Sequence, residues 1–148
     1  MTTEPDDPTG DLRISTDPAE LDLDWLYRAL SERAYWALGR DRSVFERSIE
    51  GSLVFGVYVG TRQVGFARVV TDQATFAWIC DVFVEESARG LGVGKRLMSA
   101  IVEDPRLQGL KRMLLATDDA HGLYRQFGFE PLVEPGKWMA RSAPRPPE

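Results

Sequence analysis

Three glycines at alternate positions, Gly90, Gly92 and Gly94, lie between two cations, Arg89 and Lys95. Glycine adopts left-handed backbone conformations readily, and without a Cβ it lets an anionic group approach main-chain N–H groups closely. At the N-terminus of a helix these N–H groups have no intrahelical partners, and the helix dipole adds partial positive charge. The pattern therefore predicts a binding loop for a phosphate or pyrophosphate group, here called the glycine loop (residues 89–95).

The segments that flank the glycine loop indicate how it is positioned. Residues 76–84 are rich in aromatic and β-branched side chains, which is typical of a strand. From Val93 onward, apolar residues recur at helical spacing, at Val93, Leu97 and Ile101. The glycine loop is therefore predicted to lie at a strand-to-helix turn.

Two common phosphate-binding motifs do not fit this loop. A Walker motif needs glycine five residues before the Gly-Lys pair and Ser or Thr after it, but these places hold Arg89 and Arg96. A dinucleotide fingerprint that starts at Gly90 needs glycine or alanine where Lys95 stands, and its first strand would lie unusually late in the chain. The pattern that remains is R-x-x-G-x-G.

A second block, residues 120–129, reads A-x-x-L-Y-x-x-x-G-F and follows the first at the distance of one helix and one short strand. Together, the two blocks resemble the paired signatures of the GNAT acetyltransferase superfamily. The resemblance extends over roughly Leu53 to Met139, most of the domain.

The resemblance implies a mixed α/β fold with a twisted, mainly antiparallel sheet, flanked by helices, whose fourth and fifth strands splay apart. Acetyl-CoA is the implied co-substrate, and its pantetheine arm would bind main-chain groups of the strand before the loop, as an added strand would. The cofactor-binding residues implied by motif position are Val82, Phe83, Val84, Arg89, Gly90, Leu91, Gly92, Val93, Gly94 and Lys95.

Tyr124 matches the family tyrosine that protonates the thiolate of coenzyme A as it leaves. The alternative is a core tyrosine on a helix face shared with Leu123 and Phe127. His121 lies three residues earlier on roughly the same face, as a candidate base or cofactor contact.

Asp81 is the first candidate for the general base, because it interrupts an apolar strand where burial would raise its pKa. A structural role, in which Asp81 pairs with a cation or a backbone donor, remains open, and so does a base role for His121 or a water relay. Cys80 lies in the same apolar run and is interpreted as a small buried hydrophobe, which favours direct acetyl transfer over an acyl-cysteine.

These features predict an acetyl-CoA-dependent N-acetyltransferase that acts on a primary amine of a small molecule or peptide. A non-catalytic acyl-CoA-binding module and a protein-interaction domain are the alternatives. The family places its variable acceptor elements in the first two helices and adjoining strands, and the candidates there are Tyr27, Tyr35, Trp36, Arg40 and Trp78.

The composition fits one domain with a substantial core, because 43% of the 148 residues are hydrophobic. A net charge of −5 disfavours nucleic-acid binding, which depends on clustered positive charge. The single cysteine excludes intrachain disulfides and multi-cysteine zinc sites. No metal, no membrane span, a cytoplasmic location and a possible homodimer are expected.

The predicted organisation is an acidic flexible segment at 1–10, one acetyltransferase domain at 11–142 and a proline-rich tail at 143–148. Strands are predicted at Leu12–Ser15, Leu53–Val59, Gln63–Val70, Thr75–Val84 and Met113–Ala116. Helices are predicted after Pro18 and from Ser43, an N-cap with Glu46 as its capping-box partner, to a stop at Gly51.

Overall fold

The computed structural model describes residues 12–144. The predicted flexible segment at 1–10 lies outside these residues, as do residues 145–148 of the predicted tail. Five strands form one sheet in sequential order: β1 (Leu12–Ser15), β2 (Leu53–Val59), β3 (Arg62–Thr71), β4 (Phe76–Val84) and β5 (Arg112–Leu114). The first four strands pair antiparallel, and β5 is parallel to β4. The predicted mixed, mainly antiparallel fold is confirmed.

Helices cover both faces of this sheet: α1 (Leu23–Arg33), α2 (Arg42–Glu50), α3 (Val93–Glu103) and the short α4 (His121–Arg125). On one face, α3 packs Val93, Leu97 and Ile101 against the inward side chains of the strands. On the other face, α1 and α2 bury a separate cluster that includes Leu30 and Phe45. Burial of these two apolar faces fixes both helix layers on the sheet.

The N-terminus of α2 differs from the prediction that Ser43 caps it. Asp41 is the N-cap, and its carboxylate accepts a hydrogen bond from the Ser43 amide. Glu46 instead accepts a hydrogen bond from Arg42 at 2.9 Å. The N-cap therefore lies two residues earlier than predicted, and the helix begins at Arg42. The predicted stop at Gly51 is confirmed.

The fourth and fifth strands separate after a short contact. Pairing joins Phe76, Ala77 and Trp78 to residues 112–114, and the sheet register extends no further. The remainder of β4, up to Val84, has no strand partner on its β5 side in the part of the chain that the structure describes. A wedge-shaped opening between β4 and β5 results, as the splayed-strand prediction requires.

A bulge in β4 reverses the direction in which its side chains point. Asp81 has a left-handed backbone, with φ of 52°, and the register with β3 shifts between Phe66 and Arg68. Before the bulge Ile79 packs in the α3 core, whereas after it Phe83 packs in the core under α1 and α2. An extra residue in one strand has this effect, because side chains alternate with a period of two.

Candidate active site

A cavity of about 740 Å³ lies in the opening between β4 and β5. Its walls come from the segment between α1 and α2, from β3 and β4, and from the segments around α4. Of the predicted site residues, those that line it are Asp81, Val82, Phe83, Val84, Arg89, Gly94 and Tyr124. The structure thus brings both predicted catalytic residues to one cavity. Gly90, Leu91, Gly92, Val93 and Lys95 do not line it.

The glycine loop leaves the end of β4 and leads into α3. Gly90 and Gly92 have φ values of 85° and 78°, and Gly92 is the N-cap of α3 with no side chain to cap the helix. An added Cβ would meet no atom within 4 Å at either position, so the backbone conformation alone calls for glycine there. The first amides of α3 therefore face outward at the positive end of an 11-residue helix.

Cations flank the glycine loop, and they are accessible. Arg89 and Lys95 are exposed, and the Arg89 Nε donates a hydrogen bond to the Val84 carbonyl at 3.1 Å. This contact fixes Arg89 at the junction of the loop and the strand. A pyrophosphate group fits this combination of helix amides, left-handed glycines and exposed cations.

Tyr124 is buried on α4, and its ring meets that of Phe129 edge to face at 6.1 Å. Burial raises the pKa of the Tyr124 phenol, and the charge of Asp119 adds to the effect. Among the described residues, the Tyr124 hydroxyl has no hydrogen-bond partner. The phenol therefore stays protonated at neutral pH, and its proton is not committed to a structural acceptor.

Asp81 lies at the centre of a charged group that we call the acceptor cluster: Trp36, Arg40, Arg68 and Asp81. Its carboxylate accepts two hydrogen bonds from Arg40, at 2.7 and 3.1 Å, and one from the Arg68 Nε at 2.6 Å. The Trp36 indole N–H donates another at 2.8 Å. The Asp81 side chain is only 2% exposed, so these contacts take the place of water around the carboxylate.

The prediction of a raised pKa for Asp81 is wrong. Burial by itself raises the pKa of this carboxyl, but the hydrogen bonds and positive charges of Arg40 and Arg68 outweigh burial, and the pKa lies below its ordinary value. A carboxylate with a lowered pKa that already accepts bonds from three side chains is a weak base. The structural alternative considered for Asp81, pairing with a cation, describes the observed contacts.

Aromatic residues surround the open side of the acceptor cluster. Trp36 and Tyr35 meet edge to face at 4.9 Å, and the Trp78 side chain is 48% exposed on β4. The Tyr35 hydroxyl accepts a hydrogen bond of 3.2 Å from the backbone amide of Asp118. This bond joins the segment after α1 to the segment after β5.

Four of the five residues predicted for the acceptor pocket lie on this cavity. Tyr35, Trp36, Arg40 and Trp78 line the cavity. Tyr27 does not, because its ring packs on Phe45 at 5.4 Å and its hydroxyl donates to the Arg40 carbonyl. His121 lies outside the main cavity and lines a smaller one of about 240 Å³ on the other side of Tyr124.

Sequence reasoning missed three charged residues of the cavity, Arg33, Arg68 and Asp119. Arg68 interrupts the apolar run of β3 just as Asp81 interrupts that of β4, and this parallel could have revealed the pair. Asp119 lies in a loop, where no local pattern marks it. Cys80 also lines the cavity, and burial raises the pKa of its thiol, which disfavours the thiolate needed for covalent transfer.

Comparison with known proteins identifies the family. Residues 17–129 match the model of the Acetyltransferase (GNAT) family. The protein FG08082 of Gibberella zeae, named as an acetyltransferase, is 32% identical over 82% of this chain and 80% of its own length. Other curated relatives match over shorter stretches, and this chain spans less than half of their length.

Solved structures give the same result. A GNAT-family protein of Xanthomonas campestris is 47% identical, with a TM-score of 0.87 over 90% of this chain and 94% of that one. A Clostridium acetobutylicum protein solved with acetyl-CoA shares the fold, with a TM-score of 0.63 at 13% identity over 88% of this chain and 94% of that one. The chain belongs to the GNAT family of acetyltransferases.

No helix within residues 12–144 is both long and apolar enough to cross a membrane. Over the same residues, no group of His, Cys, Asp and Glu side chains is arranged to hold a metal ion.

Proposed function

We propose that this protein transfers the acetyl group of acetyl-CoA directly to a primary amine of a small molecule or peptide. The observation that carries the proposal is the convergence on one cavity of an unpaired strand edge, the start of the glycine loop and a phenol whose proton is free to be donated. Acetyl-CoA supplies an acetyl thioester, whose sulfur must leave with a proton.

The residues that hold the cofactor are those at the two ends of the β4–α3 connection. The main chain of Val82, Phe83 and Val84 lies beyond the last β4–β5 pair and offers N–H and C=O groups to the pantetheine arm. The glycine loop offers the first amides of α3 to the pyrophosphate, with Arg89 and Lys95 beside it.

Tyr124 holds the proton that the departing sulfur requires. Its raised pKa keeps the proton at neutral pH, and its hydroxyl has no competing acceptor among the described residues. A general acid needs both properties.

We assign Asp81 a positioning role in place of a base role. Its carboxylate fixes Trp36, Arg40 and Arg68 relative to β4, and an incoming ammonium would have to displace a guanidinium to give its proton to this carboxylate. The proton of the amine then passes to water, because His121 lines the smaller cavity and does not line this one. Of the three candidates for the base, Asp81, His121 and a water relay, we therefore favour the water relay.

The test is calorimetric titration with acetyl-CoA, followed by a free-thiol release assay over a panel of primary amines. The proposal predicts saturable binding of acetyl-CoA and thiol release that depends on the amine. Binding without release on any amine would favour a non-catalytic acyl-CoA-binding module. No binding at all would favour an interaction domain.

A cytoplasmic location and a homodimer remain predictions. Two plant relatives with short matches carry chloroplastic names, so the compartment of the family varies.

A further inference from the structure

The acceptor cluster carries more positive than negative charge. Two guanidiniums, those of Arg40 and Arg68, face the single carboxylate of Asp81, which leaves a formal excess of one positive charge. The Arg40 and Arg68 side chains are 19% and 14% exposed, so the excess charge is largely shielded from bulk water. In such surroundings an unbalanced charge attracts a counter-ion far more strongly than at an open surface.

The two arginines also keep unused donors. Arg68 uses its Nε for Asp81 and its Nη1 for the Ser52 hydroxyl at 3.2 Å, whereas its Nη2 has no partner among the described residues. The Nε of Arg40 likewise has no partner in the part of the chain that the structure describes. A guanidinium with spare N–H groups is suited to a planar oxyanion such as a carboxylate.

The other cavity charges do not cancel this excess. Arg33 is paired with Glu85 at 2.8 Å, and Arg89 lies at the glycine loop. The remaining acidic residue of the cavity, Asp119, is exposed and lies just before the Tyr124 helix. The cavity therefore combines a cationic group at Arg40 and Arg68 with one acidic residue, Asp119, whose charge acts on Tyr124.

We propose that the acceptor is an amine that carries a carboxylate, and that Arg40 and Arg68 bind this carboxylate. The proposal rests on the acetyl-transfer function proposed above. The carboxylate is held by the two guanidiniums, while Asp119, the acidic residue of the same cavity, is available to the amine. The exposed rings of Trp36 and Trp78 flank the bound carboxylate and cover the carbon chain of the acceptor.

Matched pairs of amines test this assignment by thiol release. Each α- or ω-amino acid is compared with its own carboxamide at several pH values. The pH series separates the effect of a different amine pKa from the effect of carboxylate recognition. We expect the carboxylate member of the best pair to have a KM lower by about tenfold or more, the effect of one charge-assisted hydrogen bond. Equal KM values, or a preference for every carboxamide, would overturn the proposal while acetyl transfer stands.

Two arginine variants sharpen the test. Arg68→Gln removes the charge and should raise KM for the carboxylate acceptor by about tenfold with little effect on its carboxamide. Arg68→Lys keeps the charge and should recover part of the loss. Arg106→Gln, which breaks an ion pair with Asp104 far from the cavity, is the matched control and should change neither KM. An equal loss on both acceptors in Arg68→Gln would assign Arg68 to structure and overturn the proposal.

A binding measurement separates this proposal from acetyl transfer itself. Calorimetry on the protein saturated with coenzyme A compares an N-acetyl amino acid with its carboxamide. If no amine releases thiol but the carboxylate compound binds better, and Arg68→Gln removes the preference, acetyl transfer fails and the carboxylate site stands. If neither compound binds better, the carboxylate site is refuted. A stronger preference for phosphoethanolamine than for β-alanine would refute a carboxylate as the ligand of this site.

Discussion

The two ends of the cavity use different parts of the polypeptide. At the glycine loop, the groups suited to binding are main-chain amides of a single continuous segment that runs from β4 into α3. At the acceptor cluster, they are side chains of Trp36, Arg40, Arg68 and Asp81, which come from three separate segments. A main-chain site tolerates many side chains but few backbone changes, whereas a side-chain site depends on residues that are far apart in sequence.

This difference suits the two substrates that we propose. Every member of a coenzyme A-dependent family must bind the same pyrophosphate and pantetheine, and a backbone site does this without particular side chains. The acceptor can differ between relatives, and a cluster of side chains can be exchanged residue by residue. Tyr124, on α4, also lines the cavity and belongs to neither group.

The largest expected effect comes from removing the hydroxyl of Tyr124. Tyr124→Phe should lower kcat by roughly tenfold to a thousandfold, the usual range for loss of a general acid, while acetyl-CoA affinity is retained. The melting temperature should hardly change, because this hydroxyl makes no hydrogen bond among the described residues. Steady-state kinetics and calorimetry measure both quantities.

Tyr58→Phe is the matched control for this variant. The Tyr58 hydroxyl is also buried and has no hydrogen-bond partner within residues 12–144, but Tyr58 does not line the cavity, and burial raises its pKa to about 12. Turnover should be unchanged in Tyr58→Phe. Wild-type kcat in a folded Tyr124→Phe protein would mean that Tyr124 only packs in the core and is not the general acid.

The next largest effect concerns the acceptor cluster, and it is a change in the free energy of unfolding. Asp81→Asn leaves two shielded guanidiniums without their counter-ion and should lower the free energy of unfolding by about 3 kcal/mol, as in other broken buried ion pairs. Asp104→Asn should cost less, because its partner Arg106 is 37% exposed. Urea denaturation compares the two variants. Equal small losses in both would mean that the acceptor cluster does not hold the cavity wall in place.

The pH dependence of the Asp81 contribution follows from the direction of its pKa shift. Its pKa is lower in the folded state than the ordinary value of 3.8, so the stabilisation is fully present above the unfolded pKa and is lost as pH falls through the folded pKa. The stability difference between wild type and Asp81→Asn should be constant from about pH 8 to about pH 5 and shrink only below about pH 4. A difference that already shrinks near neutral pH would point to a raised pKa and revive the base role.

A smaller effect is expected from the backbone end. Gly92→Val places a β-branched residue at a φ of 78° and should weaken acetyl-CoA binding by about tenfold, through strain of the order of 1–3 kcal/mol or a rearranged loop. Gly109→Val is the matched control, because Gly109 has a φ of 75° and open space around it but lies outside the cavity. Both variants should lose stability, and only Gly92→Val should lose affinity for acetyl-CoA.

The smallest effect concerns the exposed cation of the glycine loop. Arg89→Ala should weaken acetyl-CoA binding by about threefold at low salt and less at high salt, since exposed charges are screened. Arg47→Ala, an exposed arginine on α2, should have no effect at either salt concentration. If salt does not change the loss of affinity in Arg89→Ala, Arg89 makes a specific hydrogen bond to acetyl-CoA and does not act mainly through the long-range attraction of its charge.

The contrast between a continuous main-chain segment and side chains that are distant in sequence also explains what could be predicted from the sequence. The glycine loop, β2 and Tyr124 each depend on contiguous patterns, and β2 was predicted residue for residue as Leu53–Val59. The bulge at Asp81 leaves no such pattern, because a left-handed aspartate within a strand is stabilised by distant arginines. The sign of the Asp81 pKa shift was missed because burial alone was considered, and its two partners Arg40 and Arg68 lie 41 and 13 residues away in the sequence.

Amide hydrogen exchange with and without acetyl-CoA tests the central claim most directly, namely that the cofactor binds along the main chain of β4 and the glycine loop. We expect residues 80–84 and 89–95 to exchange more slowly when acetyl-CoA is bound, whereas residues 12–15, on the opposite edge of the sheet, should be unaffected. Binding seen by calorimetry with unchanged exchange in both segments, or with protection at the other edge of the sheet, would contradict the account.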